Sequence, residues 1–285
     1  MQNVDMSPIL TSDHFIQSGQ GVIFARRWVP VREESAGGET LTPLPAPLIL
    51  FHESTGSVAQ WRDFPALLAQ TTGRTVIAYD RLGFGQSDAH PRRLTRDFMG
   101  DEARDFLPAL LAHFGVGAFV ALGHSVGGEI AVATAAAMPE RVAAVITISA
   151  QSFVEQATLE GVRAAKIAFA APDRFARVER HHGAKARWVL DAWFDTWLDP
   201  DFADWSLDAD LARLVCPVMA IHGSDDEFGT AAHPRRITSV PTSPTRLEYL
   251  EGIGHIPYRE DPARIAALIK DFLDSVTAPK GSAQP

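Results

Sequence analysis

The chain has one cysteine, Cys216, in 285 residues, so it can form no internal disulfide. That removes the disulfide-stapled secreted scaffolds from consideration. Cys216 precedes Pro217 at the edge of an apolar run, with no base or metal ligand flanking it, and reads as a core thiol. No apolar run approaches the roughly 18 residues of a membrane span, so none is expected. The N-terminal stretch lacks a basic segment followed by an apolar one, so no signal peptide is expected and the cytoplasm is the default location. Basic residues are in the minority, 26 against 35 acidic ones, for a net charge of −9. That argues against nucleic acid or an anionic membrane as a partner. No spacing such as H-x-E-x-x-H is present, so no metal site is expected. No repeat period and no low-complexity run occur, which excludes a solenoid and general disorder.

What the chain does contain is a hydrophobic fraction of 46%, enough for a sizeable core. Its organising stretch runs from Phe119 to Met138. A short apolar run, Phe119 to Leu122, has the length of a buried strand. It enters Gly123-His124-Ser125-Val126-Gly127 and then an alanine-rich helical segment that ends before Pro139. At ordinary Gly and Ser frequencies, G-x-S-x-G arises by chance in roughly one chain in ten of this length. Between a strand and a helix it carries more weight, because that context makes a strained turn with the serine hydroxyl exposed at the strand end. The helix N-terminus behind Ser125 offers free N–H groups to a developing oxyanion.

The remaining elements follow in order. Residues 1–13 read as a loose tail. His14–Gln17 and Val22–Val29 flank a turn and predict a hairpin. Residues 31–47, rich in Pro, Gly and Glu, predict a surface loop. Strands are expected at Leu48–His52, Thr75–Tyr79 and Val142–Ser149, with helices at Ala59–Gln70 and Phe98–Phe114. Strands alternating with helices predict an α/β fold with a mostly parallel central sheet covered on both faces. After Ala150 the rhythm changes. Residues 150–213 show helical runs around 154–170, 173–182 and 184–197 and hold four of the six tryptophans. The strand pattern resumes at Val218–His222 and Arg246–Leu250, and a last helix runs from Pro262 to Val276. The expected organisation is therefore 1–149 and 214–285 as two parts of one core, with 150–213 as an inserted helical cap.

A serine hydroxyl needs a base, and the base needs an acid to orient it. Downstream of Ser125, the segment Ile221 to Glu227 offers Asp225 and Asp226 just after a strand, and His255 follows another. Glu155, after the preceding strand, is the fallback acid. His124, His52 and His222 read as packing or backbone-bonding residues, and His181 and His182 as cap-surface residues. Gly83-Phe84-Gly85 does not follow the first strand of a dinucleotide fold and reads as a supporting turn. No cofactor is expected.

Together these pieces resemble an α/β-hydrolase-fold serine hydrolase with a helical cap. The matching motifs are His52-Glu53-Ser54-Thr55-Gly56, Asp80-x-x-Gly83-x-Gly85-x-Ser87, Gly123-His124-Ser125-Val126-Gly127, Gly223-x-x-Asp226 and Gly252-x-Gly254-His255, spanning residues 48 to 275. The chain order Ser, Asp, His is that of this fold. The resemblance selects Asp226 over Asp225, because the acid stands three residues after the glycine. It implies a catalytic set of Ser125, Asp226 and His255, with the backbone N–H groups of Ser54 and Val126 as oxyanion hole. One departure is Glu53, where the superfamily usually has glycine. It puts a carboxylate beside a site meant for negative charge, and a salt bridge to Arg81 is the expected accommodation. The resemblance implies hydrolysis of a small or medium carboxylic ester through an acyl-enzyme, with thioesters and lactones open. The expected partner is a small molecule with an apolar acyl or alcohol group, because the cap is tryptophan-rich; Trp193 and Trp197 are the candidate contacts. Two rivals are carbon–carbon hydrolysis of a ring-fission diketone and a ligand receptor that has kept the fold without turnover. Haloalkane dehalogenases and epoxide hydrolases carry aspartate at the elbow, which Ser125 argues against.

Overall fold

The structure is a computed structural model, and it describes residues 8–31 and 45–277. Its centre is an eight-stranded sheet in the order β1-β2-β4-β3-β5-β6-β7-β8. The strands are β1 (Ile9–Gln17), β2 (Val22–Pro30), β3 (Leu48–Phe51), β4 (Val76–Tyr79), β5 (Phe119–His124), β6 (Val142–Ile148), β7 (Val218–Gly223) and β8 (Thr245–Leu250). β1 and β2 pair antiparallel, β2 is antiparallel to β4, and every pair from β4 across to β8 is parallel. The α/β fold with a mostly parallel sheet is as expected from the alternating pattern.

The buried strands separate two apolar layers. In β3, Ile49 and Phe51 face one layer with Phe119, Ile130 and Val145. Leu48 and Leu50 face the other, with Leu122, Ile146 and Ile221. The period of two along each strand assigns alternate side chains to opposite faces. Helices α1 (Phe64–Thr72), α2 (Phe98–Asp101), α3 (Leu107–His113) and α4 (Val126–Ala137) connect the first strands. A π-helical segment, Glu102–Phe106, joins α2 to α3. Between β6 and β7 lie α5 (Gln156–Ala168), α6 (Pro172–His182), α7 (Ala186–Trp197) and the short α8 (Asp208–Leu211). Helices α9 (Ala232–Ser239), α10 (Pro257–Glu260) and α11 (Pro262–Thr277) complete the chain.

Four sequence expectations need correction. Residues 9–13 are not tail but the start of β1, an edge strand held by its pairing with β2. The helix expected over 59–70 is a 3₁₀ turn, Val58–Trp61, followed by α1. α9 forms where the sequence predicts no helix, because Pro234 inside it and sparse apolar periodicity leave no clear helical signal. An isolated antiparallel bridge, Phe153 to Ser206, occurs where only helices were expected. The loop expected over 31–47 lies, from 32 to 44, outside the described residues. Cys216 is buried, and burial pushes its thiol up to about 11, as suits a core residue. Among the described residues, no helix is long and apolar enough to cross a membrane.

Candidate active site

Ser125 sits between β5 and α4 with φ 52° and ψ −128°, in a region that L residues rarely occupy. Its N–H donates to the Ile148 carbonyl at 2.8 Å, and its own carbonyl accepts from Gly128 at 2.7 Å. The flanking glycines are sterically required. A Cβ at position 123 would lie 1.9 Å from the Gly127 carbonyl oxygen, and one at 127 would lie 2.0 Å from that of Phe51. Residues Val126 to Ala136 are buried without interruption, so α4 is covered on one side by the sheet and on the others by α2, α8 and the Glu102–Phe106 segment. The strained turn is therefore fixed by packing on both sides.

His255, after β8, places Nδ1 at 2.8 and 2.9 Å from the two carboxylate oxygens of Asp226, after β7. Asp226 also accepts from the Phe228 N–H at 2.8 Å, and His222 Nε2 lies 3.3 Å away. Burial pushes the Asp226 carboxyl up, but the hydrogen bond and charge of His255, with His222 and the Phe228 amide, bring it below its ordinary value. For His255, burial acts downward; the Asp226 hydrogen bond and charge, helped by Glu227 and Glu53, outweigh it and raise the ring. With Nδ1–H donated to Asp226, the neutral ring keeps Nε2 as its basic nitrogen. Asp225 instead accepts the Ser224 hydroxyl at 2.8 Å. His124 donates its Nε2–H to the His255 carbonyl at 2.8 Å and packs beside the elbow as expected.

The loop after β3 departs from expectation at Glu53. Its carboxylate accepts from the Thr55 N–H at 2.6 Å and from the Thr55 hydroxyl at 3.2 and 3.1 Å. The salt bridge to Arg81 is not formed. Arg81 is buried with its guanidinium 4.2 Å over the Phe84 ring. His182, expected on the cap surface, is buried as well. Its Nδ1 accepts from the Gly85 N–H and its Nε2–H donates to the Thr55 carbonyl, both at 2.9 Å. Burial lowers this ring to about 4, so it stays neutral and can accept at one nitrogen while donating at the other. The C-terminal end of α6 is thus fastened to the loop that carries Ser54. Asp80, from the Asp80-to-Ser87 motif, accepts from the N–H groups of Val58 and Gln86 at 2.6 and 2.7 Å, which makes that motif a brace between loops.

Ser125 and His255 line one cleft of about 640 Å³ with Glu53 and Ser54 of the β3 loop. Its far wall comes from the helices between β6 and β7, including Val162, Phe169, Trp193 and Trp197. Trp193 lies 5.8 Å from Phe228, which itself packs 4.8 Å from the His255 ring. Trp197 is almost wholly buried, against Phe202 and Trp205. Ser54 and Val126 border a second, narrow cavity that both tryptophans also line.

Sequence reasoning missed several groups here. Arg174, Arg177 and Arg259 border the cleft; the first two have a sequence signal in their i, i+3 spacing on α6. Glu129, in the first turn of α4, is fully buried, and burial pushes its carboxyl up against the opposing pull of the Gln151 backbone and the Arg81 charge. Burial there disfavours a negative charge behind the serine. Among the described residues, no group of three or more His, Cys, Asp or Glu is placed to hold a metal ion.

The elbow, the sheet order and the strand-end loops define an α/β hydrolase. A family profile described as alpha/beta hydrolase fold matches residues 46–187. This chain belongs to the α/β-hydrolase-fold superfamily. Its sequence is 29% identical over 164 residues to a 2-(acetamidomethylene)succinate hydrolase of Mesorhizobium japonicum, covering 56% of this chain and 52% of that protein. It is 25% identical over 275 residues to a proline iminopeptidase of Lactobacillus helveticus, covering 80% and 90%. The match to the first of these relatives thus spans about half of its length. In structure, the chain superposes on a 2-hydroxy-6-oxo-6-phenylhexa-2,4-dienoate hydrolase from Rhodococcus sp. strain RHA1 with a TM-score of 0.76. That match has 19% identity and covers 93% of this chain and 99% of the other.

Proposed function

We propose that the protein is a serine hydrolase that cleaves a small or medium carboxylic ester through an acyl-enzyme. The observation that carries this reading is the cleft itself: a serine in a strained elbow and a histidine held at Nδ1 by a buried carboxylate open into the same space. In the reaction, Ser125 Oγ attacks the acyl carbonyl while His255 Nε2 takes its proton. The N–H groups of Val126 and Ser54 receive the oxyanion, and His255 returns the proton to the departing alcohol. A water activated by the same nitrogen then releases the acid. Asp226 keeps the ring in the productive tautomer and stabilises its protonated form.

A second reading, hydrolysis of a carbon–carbon bond in a ring-fission diketone, is favoured by the structural likeness to the dienoate hydrolase. One screen separates the readings. Purified protein is assayed against p-nitrophenyl esters of graded chain length, acyl thioesters, lactones, ring-fission dienones and proline anilide. Turnover of esters above all other classes supports the proposal; dienone turnover with inert esters moves the assignment to the carbon–carbon bond. A phosphonate probe that fails to label Ser125 overturns both.

A further inference from the structure

Arg174 and Arg177 of α6 and Arg259 of α10 border the cleft shared by Ser125 and His255. The same three border an adjoining groove of about 590 Å³, to which Arg62 and Arg180 add two more guanidinium groups. Elsewhere some arginines are matched by carboxylates, Arg26 with Asp13, Arg104 with Asp97 and Arg236 with Asp208, while others, such as Arg74 and Arg141, bond backbone carbonyls. Among the described residues, none of the five around the cleft and groove has a carboxylate within 4.0 Å. Arg259 donates one Nη2–H to the Gln60 carbonyl at 2.9 Å, while its Nε is buried without a partner. On α6 the i, i+3 spacing sets Arg174, Arg177 and Arg180 along one side; Asp173, four residues before Arg177, shares that side without forming an ion pair within 4.0 Å, and Glu179 is rotated away. The cleft also holds two carboxylates. Glu53 is turned onto Thr55, and Glu227 stands exposed at the rim. Cations still predominate, in a protein whose net charge is −9. A guanidinium presents paired N–H donors that match a carboxylate, and a partly enclosed site strengthens the contact.

We propose that the cleft is built for an anionic substrate: a half-ester whose acyl part ends in a free carboxylate, received by Arg174, Arg177 and Arg259 while Ser125 attacks the ester carbonyl. The apolar wall of Val162, Phe169 and Trp193 takes the carbon chain between the two ends. This rests on the ester reading above, and its test keeps the two apart.

Mono-p-nitrophenyl glutarate is compared with p-nitrophenyl pentanoate, a neutral ester of similar length. The expected ratio of kcat/KM, charged over neutral, is about tenfold or more, and it should shrink as salt is added. In the double variant Arg174→Gln, Arg177→Gln the ratio should fall by about tenfold, with an unchanged melting temperature showing that the fold persists. A wild-type ratio at or below one, or a ratio that the double variant leaves unchanged, overturns the proposal. If neither ester is hydrolysed, the ester reading fails and glutarate itself becomes the probe. Calorimetric binding of glutarate to wild type that is lost in the double variant then supports the anion site. No binding, or equal binding to both proteins, overturns it.

Discussion

Two histidine–carboxylate pairs stand on neighbouring loops at one edge of the sheet, each with a 2.8 Å approach. One is His255 with Asp226; the other is His233 of α9 with Glu155, which follows β6. Each histidine also belongs to an arrangement with a serine. His233 Nδ1 lies 3.4 Å from Ser152 Oγ, so distances alone describe a second set of serine, histidine and acid. The differences are in alignment and access. The Asp226 oxygens lie along the His255 N–H, whereas Glu155 lies off the His233 N–H direction, leaving Nε2 without an aligned acceptor. His233 Nδ1 is occupied by the Ser152 backbone N–H at 3.2 Å. His233 and Ser152 are both wholly buried, and neither borders the main cleft, while the His255 side chain retains 12% exposure. Burial dominates for His233 and lowers it; for His255 the carboxylate wins and raises it. A close acid–base contact makes a reactive centre only where a free lone pair faces space that a substrate can enter.

The sharpest way to break this comparison is at the serines. Ser125→Ala should lose turnover by about 10⁴-fold or more while remaining folded. Ser152→Ala should leave turnover near wild type. Large loss from the second variant, measured as kcat/KM on the best ester, would make the buried set the reactive one. At the acids, Asp226→Asn should cost about 10⁴-fold, since it disfavours the tautomer in which Nε2 is the base. Asp225→Asn should cost far less, and the opposite ranking moves the acid by one position. The proposed mechanism needs neutral His255, so activity should fall as pH drops through the raised value of that ring. The acid limb of kcat/KM is then expected above the ordinary histidine value of about 6.5. A limb below that value would contradict the dominance of Asp226 over burial.

Smaller effects sharpen the contrast. Glu155→Ala removes the charge beside a buried imidazole and should lower stability by about 1–3 kcal/mol, with little change in turnover, read by denaturant midpoint and kinetics on the same sample. Trp193→Ala should alter the ranking of ester chain lengths by about 1–3 kcal/mol of discrimination. Trp197→Ala, being more deeply packed, should lower the melting temperature more than Trp193→Ala does. Identical ester rankings in wild type and Trp193→Ala would reduce that ring to core packing.

Much of this is legible in the sequence. The elbow announces itself because its glycines answer a local requirement, the approach of Gly123 to Gly127 and of Gly127 to Phe51. The five buried strands β3 to β7 are legible because burial on both faces makes them continuous apolar runs. Residues 9–13 were not, since an edge strand exposed along much of its length shows no apolar pattern and is defined by its neighbour. The role of His182 was equally hidden. Its partners Gly85 and Thr55 are 97 and 127 residues away in sequence, and no local pattern encodes that meeting. Glu53 was misjudged for the opposite reason: a contact two residues away prevailed over a distant arginine.

β6 ends at Ile148 and β7 begins at Val218, yet the two are hydrogen-bonded neighbours, with Val145 opposite Val218. The intervening helices therefore leave and re-enter the sheet through one gap between adjacent strands. For a flexible connection, doubling the length of such a detour costs only about 0.6 kcal/mol of closure entropy. What limits the detour is therefore not closure entropy but its contacts with the core, such as His182 on Gly85 and Thr55 and Glu155 on Thr230.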